Sequence, residues 1–201
     1  MIYFIITCSV YNDCKVREMQ YCTAIAKAKQ LLPKCIRIIV VDNNGKRKTF
    51  LDKLGCEVFY TNNNLLPTKN KGVKELKDIY NCIVAYSIQD SDFIVKMTGR
   101  YVLENDSEFI EVLKNISNND CDCIIKYGSY MKPIDFQTND CITGLIGMKT
   151  RYIKSIKTPL GMQPIEHYWA QVTYLMEPKK IIKVKNLGIN ICPGNNTYFL
   201  I

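Results

Sequence analysis

The chain has 201 residues, of which 47% are hydrophobic and 23% charged, with a formal net charge of +8. That length supports one domain with a real core, and that composition excludes a disordered tail or a fibre. A basic surface suits anionic partners, but the Lys and Arg residues are spread out with no long block, so nucleic acid is not an expected partner.

From the first residues the pattern alternates strand and helix. Ile2–Thr7 is a continuous apolar run, as in a strand buried on both faces. It lacks the basic and small-residue pattern of a signal peptide, and no apolar run in the chain is long enough for a membrane span, so a cytoplasmic location is expected. Val16, Met19, Cys22, Ile25, Ala26 and Leu32 follow at helical spacing, and Pro33 ends them. Ile36–Val41 reads as a second buried strand, stopped by the turn signal Asp42-Asn43-Asn44-Gly45. A short helix over Lys48–Leu54, a strand over Glu57–Tyr60 and a polar loop over Thr61–Asn70 come next.

Val73, Leu76, Ile79 and Ile83 mark a long amphipathic helix. Phe93–Met97 is a further strand, ending in Thr98-Gly99-Arg100-Tyr101. Phe109, Ile110, Leu113 and Ile116 give a helix face. The second half is less regular: strands over Cys123–Tyr127 and Cys141–Met148, a helix over Pro164–Met176 and a strand over Lys180–Val184. The strand–helix units of the first ~105 residues imply right-handed crossovers and a parallel sheet. The expected fold is α/β, three layers, with a mostly parallel sheet between helices. A single domain over 1–201 is expected, with 1–105 as ligand-binding half and 106–201 completing the site.

Ten cysteines stand at 8, 14, 22, 35, 56, 82, 121, 123, 141 and 192, with no C-x-x-C pair. Scattered among apolar residues, they read as buried free thiols of a reducing compartment.

In an open α/β sheet, ligands bind where strands end. Thr7, Ser9, Tyr11 and Asn12 follow the first strand, Asp42–Asn44 the second, Asn62–Asn64 the third, and Thr98, Gly99 and Arg100 the fourth. These ends are polar and amide-rich and carry little negative charge, which suits a nucleotide.

The segments Ile5–Asn12, Ile39–Gly45, Asn70-Lys71-Gly72 and Phe93–Tyr101 resemble glycosyltransferases of the GT-A fold, in the style of family 2. The closest likeness is to small domains of large DNA viruses and to bacterial polysaccharide transferases with a K-x-T-G-R-Y segment, here Lys96–Tyr101. The resemblance covers residues 1 to about 105 and implies a Rossmann-like sheet that moves a sugar from a nucleoside diphosphate donor, UDP-linked by expectation, to a glycan hydroxyl. It implies that Thr7, Ser9, Tyr11 and Asp42 hold base and ribose. Asn43, Lys71, Gly72, Lys96, Thr98 and Gly99 complete the expected donor site. If the chain is viral, the location becomes the host cytoplasm. Other glycosyltransferase domains are possible partners, since relatives are often one module of several.

Such relatives carry D-x-D after the fourth strand, holding Mn2+ or Mg2+ on the diphosphate. Here Thr98-Gly99-Arg100 stands there. The literal Asp90-Ser91-Asp92 precedes the strand, about 17 Å from the ligand rim. Arg100 is therefore expected to stabilise the leaving diphosphate by its fork of donors, helped by Lys71 at a helix start, with a weak metal requirement or none, Mn2+ or Mg2+ being the possible ion. Gly72 and Gly99 are expected to let backbone approach the phosphates. The resemblance also implies a carboxylate base early in a late helix, matched by Glu166, with the sole histidine, His167, beside it and Asp140 as a competitor. Tyr11 and Tyr101 are candidates for stacking, whereas Trp169 falls on the apolar face. A non-catalytic nucleotide-sugar-binding module and a nucleotidyltransferase remain the alternatives. The latter is disfavoured because Thr7–Lys15 contains no glycine.

Overall fold

A computed structural model describes residues 1–11, 14–116, 120–129, 139–191 and 199–201. Asn12 and Cys192 of the readings above lie outside the described residues.

Seven strands form the main sheet: β1 (Ile2–Cys8), β2 (Arg37–Asp42), β3 (Glu57–Tyr60), β4 (Phe93–Thr98), β6 (Cys123–Ile125), β7 (Leu145–Lys149) and β8 (Ile181–Lys183). Their order is β3-β2-β1-β4-β7-β6-β8. The pairs β1–β2, β1–β4, β2–β3 and β6–β8 are parallel, and β7 runs antiparallel to both its neighbours. The sheet is thus mostly parallel, as its strand–helix alternation requires. A small antiparallel sheet, β10-β9-β5, joins β5 (Val102–Leu103), β9 (Ile189–Ile191) and β10 (Phe199–Leu200).

The continuous apolar runs follow from burial on both faces. Along β1, Phe4, Ile6 and Cys8 enter one core while Tyr3 and Ile5 enter the other; β4 divides the same way, with Phe93, Val95 and Met97 against Ile94. This is the period of two that a pleated strand imposes. Helices α1 (Lys15–Leu31) and α3 (Glu108–Lys114) cover the first face through Tyr21, Ala24, Ile25, Phe109 and Leu113. Helices α2 (Lys71–Ala85), α4 (Thr150–Ile153) and α5 (Ile165–Val172) cover the second through Leu76, Ile79, Ile153, Trp169 and Val172.

Several expected elements are corrected. Lys48–Leu54 forms one 3-10 turn over Phe50–Lys53, begun by Thr49, whose hydroxyl accepts from Leu51 N. Cys141–Met148 becomes strand only from Leu145, because Cys141 makes an isolated bridge to Tyr127 before a turn at 143–144. The late helix stops at Val172 and tightens into a 3-10 turn over Thr173–Leu175. The nine cysteines in the described residues are free thiols. Cys35, expected to be buried, is exposed on the turn before β2.

Two glycines are fixed by packing. A Cβ on Gly72 would lie 2.3 Å from Ile165 Cγ2, and one on Gly99 would lie 2.6 Å from Cys8 Sγ and 2.8 Å from the Thr7 carbonyl. Both values are far inside van der Waals contact. Glycine at these positions lets neighbouring elements close on one another, and neither residue lines the cleft described below. This steric role stands beside the expected approach of their backbone to phosphate.

Candidate functional site

The C-terminal ends of β1, β2 and β4 open on one cleft of about 190 Å3. Its walls include Thr7 at the end of β1 with Ser9 and Tyr11 beyond it, Asn43 after β2, and Thr98 at the end of β4 with Arg100 beyond it. The start of α2 adds Lys71, Lys74 and Glu75. Among the described residues, five cationic side chains line it: Arg17, Lys69, Lys71, Lys74 and Arg100. Glu75 is the carboxylate among them. The field inside therefore favours an anion of more than one charge.

Local structure explains this placement. Asn70 caps α2, its side chain accepting from Gly72 N at 3.1 Å and Val73 N at 3.4 Å, which starts the helix beside the rim. The Asn70 amide also donates to the carbonyls of Gly161 and Gln163, tying the approach to α5 to the same point. Gly99 N donates to the Thr7 carbonyl at 2.9 Å, so the turn carrying Arg100 lies against the end of β1. Tyr21 pins Ser9 by two 3.1 Å bonds, accepting from its N–H and donating to its carbonyl.

The expected donor residues divide into two groups. Thr7, Ser9, Tyr11, Asn43, Lys71, Thr98 and Arg100 meet in the cleft. Asp42 and Lys96 do not line it. Asp42 is fully buried, accepts from Val10 N at 2.9 Å and pairs with Arg47 at 2.8 Å. Burial pushes its carboxyl above the usual range, against the pull of Val10 and Arg47. It holds the loop after β1 in place, and Asn43 beside it faces the cleft. Lys96 is 4% exposed and spends its ammonium on Glu75, Thr98 and the Thr143 carbonyl.

Asn43 carries an informative orphan. Its amide donates to Asp78 at 3.2 Å, while Oδ1 is buried with no partner among the described residues. A buried acceptor left open beside a cleft suits an N–H or O–H of a ligand. Asp78 orients it, accepting also from Thr61 at 2.6 Å and Asn63 at 2.7 Å. Burial raises the Asp78 carboxyl to about 6 from 3.8. A raised folded value means that charging Asp78 costs stability: its contribution is full below pH 4 and is lost as pH rises through about 6. Wild type is expected to gain about 2 kcal/mol over Asp78→Asn between pH 7 and pH 4. Urea unfolding of both proteins across that range measures it, and a pH-independent difference counts against it.

Glu166 does not line the cleft; it sits in the first turn of α5 and accepts from Thr143 Oγ1 at 3.3 Å. Its neighbour Ile165 fills the space over Gly72, which brings the starts of α2 and α5 together. His167 faces Asp140, with 4.0 Å between Nε2 and Oδ1. Trp169 is core, and Tyr101 packs against the first core instead of lining the cleft. Asp90 and Asp92 precede β4, at the sheet edge opposite Thr98. There Lys154 pairs with Asp90 at 2.5 Å, and the Met1 amino group with Asp92 at 2.7 Å. Lys149 and Arg151 are at that edge too, engaged by Asp122.

Sequence reasoning did not single out Arg17, Lys69, Lys74 or Glu75. For two of these a signal was present: Lys74 and Glu75 lie three and four residues beyond Lys71, hence on one helix face with it.

No described helix is long and apolar enough to cross a membrane. No protein-family model and no curated protein matches the sequence. Solved structures do match. A mannosyltransferase from Pyrobaculum calidifontis, in complex with GDP-mannose and Mn2+, is 10% identical with a TM-score of 0.59 over 98% of this chain. This chain spans 58% of that protein's length. Glucosyl-3-phosphoglycerate synthase from M. tuberculosis is 12% identical with a TM-score of 0.59, covering 96% of this chain and 73% of the synthase. Mouse xyloside xylosyltransferase 1, in its apo form, is 11% identical with a TM-score of 0.51, covering 91% and 84%. Strand order, flanking helices and these likenesses together show the fold: the chain is built on the GT-A architecture of such glycosyltransferases.

Proposed function

We propose that the protein is a glycosyltransferase that takes its sugar from a nucleoside diphosphate donor, UDP-linked by our reading, and passes it to a glycan hydroxyl. One observation carries this: in a GT-A fold, the strand ends that face the ligand rim meet in a cleft lined by Arg17, Lys69, Lys71, Lys74 and Arg100. A diphosphate is the anion that such a cleft suits, and the open Asn43 acceptor adds a partner for ribose or base. The first half of the chain binds the donor in this reading, and the second half, with α5, shapes the acceptor side.

The chemistry of the donor set bears on the metal. The mannosyltransferase was solved with Mn2+. Divalent ions of this kind take carboxylate and carbonyl oxygens. Among the described lining residues of this chain the carboxylate is Glu75, bound to Lys96 at 2.7 Å, and a guanidinium stands after β4. These residues do not fit a divalent cation, and we assign the neutralising role to Arg100 and Lys71. Glu166 is the proposed general base. His167, facing Asp140, has at most a supporting part.

A thermal-shift series with UDP, GDP, CDP and their sugar conjugates, in EDTA and in Mn2+, tests the reading. Stabilisation by one nucleoside diphosphate in EDTA is expected. No shift with any of them overturns it.

A further inference from the structure

The Glu75–Lys96 pair is unexplained by a cleft designed only for phosphate. A carboxylate beside a diphosphate is repulsive, and burying an ammonium to neutralise it is costly; replacing such a pair by apolar side chains is often neutral or stabilising. The arrangement nonetheless commits every Lys96 donor. Its three N–H groups meet Glu75 Oε2 at 2.7 Å, Thr98 Oγ1 at 2.9 Å and the Thr143 carbonyl at 2.8 Å. Lys96 is 4% exposed, so it is spent before it can reach a ligand, whereas Glu75 is 29% exposed and lines the cleft.

The period of two along β4 puts Lys96 on the Ile94 face, the one covered by α2. Glu75, one turn beyond Lys71, meets it there. The ammonium thus fixes a carboxylate at the cleft floor in one orientation and cancels most of its repulsion toward phosphate. What remains exposed is an acceptor with no proton to give, within a wall otherwise made of donors and cations. The chemical partner of such a group is an O–H, and a hydrogen bond to a charged acceptor is stronger than a neutral one.

Building on the donor reading above, we infer that Glu75 accepts hydrogen bonds from ring hydroxyls of the donor, with Lys96 as its positioning residue. Two parts of a nucleotide-sugar carry such hydroxyls: the transferred sugar and the ribose. A neutral polyhydroxylated ring is favoured over an acidic one in either case, because a second carboxylate against Glu75 would be repelled.

Calorimetric titrations test this with UDP, 2′-deoxy-UDP, UDP-glucose and UDP-N-acetylglucosamine, and with GDP, 2′-deoxy-GDP and GDP-mannose. Wild type, Glu75→Gln and the double variant Glu75→Leu/Lys96→Met are compared. The double variant removes both charges together, so no buried ion is stranded, and its melting temperature verifies folding. In wild type, the ratio that reports the contacted ring, nucleotide-sugar over nucleoside diphosphate or ribo- over 2′-deoxy-nucleotide, is expected to be about 10- to 100-fold higher than in either variant. Both variants should lose that ratio while binding the poorer ligand as well as wild type does or better.

Loss of the ratio between nucleotide-sugar and nucleoside diphosphate assigns the contact to the transferred sugar. Loss of the ratio between ribo- and 2′-deoxy-nucleotide assigns it to the ribose. Ratios unchanged in the variants overturn the inference and leave the donor reading standing. Failure of wild type to bind any nucleotide overturns the donor reading itself.

Discussion

Arg100→Ala is expected to lower turnover of the nucleotide-sugar by about 100- to 1,000-fold, the usual cost of losing one donor aimed at developing negative charge. The sugar–phosphate bond breaks with charge building on the diphosphate, and Arg100 stands after β4 in the wall of the cleft. A guanidinium offers two parallel donors to phosphate oxygens. Because the interaction strengthens as the bond breaks, kcat and kcat/KM should fall together. Arg100→Lys should recover part of the loss, since a point charge replaces a fork. EDTA should leave wild-type turnover unchanged. Turnover abolished by EDTA and indifferent to Arg100→Ala is the result that overturns this assignment.

Glu166→Gln is expected to cost about 100- to 10,000-fold in kcat, the range for removing a general base. The carboxylate starts α5, oriented by Thr143, whose carbonyl in turn holds Lys96 below the cleft. Gln keeps the shape and the Thr143 contact but takes no proton. The loss should fall on kcat, while nucleoside diphosphate affinity by calorimetry stays within about threefold of wild type, since no donor-binding contact is removed. His167→Ala should cost far less, because the imidazole faces Asp140. If His167→Ala loses more than Glu166→Gln, the base has been misassigned.

Much of the fold was legible because its strands are buried on both faces. Runs such as Ile2–Thr7 and Phe93–Met97 admit no other reading once amphipathic helices alternate with them. The short sheet of β5, β9 and β10 was not legible: two or three residues display no period. The rim was legible as a set of strand ends, and Thr7, Ser9, Tyr11, Asn43, Thr98 and Arg100 do converge. Asp42 shows the limit of such reading. A carboxylate at a strand end looks available until Arg47, five residues on in a loop, is seen folded back onto it. Lys96 was hidden for a related reason. A lysine within a buried strand has a partner, but Glu75 sits on another element and nothing local announces it.

The contact between Gly72 and Ile165 sets a limit on motion. With no side chain on one member and a branched one filling the gap, the first turns of α2 and α5 pack directly on one another. That contact ties the stretch of backbone that carries Lys71 to the one that carries Glu166. Enlarging residue 72 would therefore push the starts of the two helices apart and throw the two halves of the proposed reaction out of alignment, while leaving each half's own side chains intact.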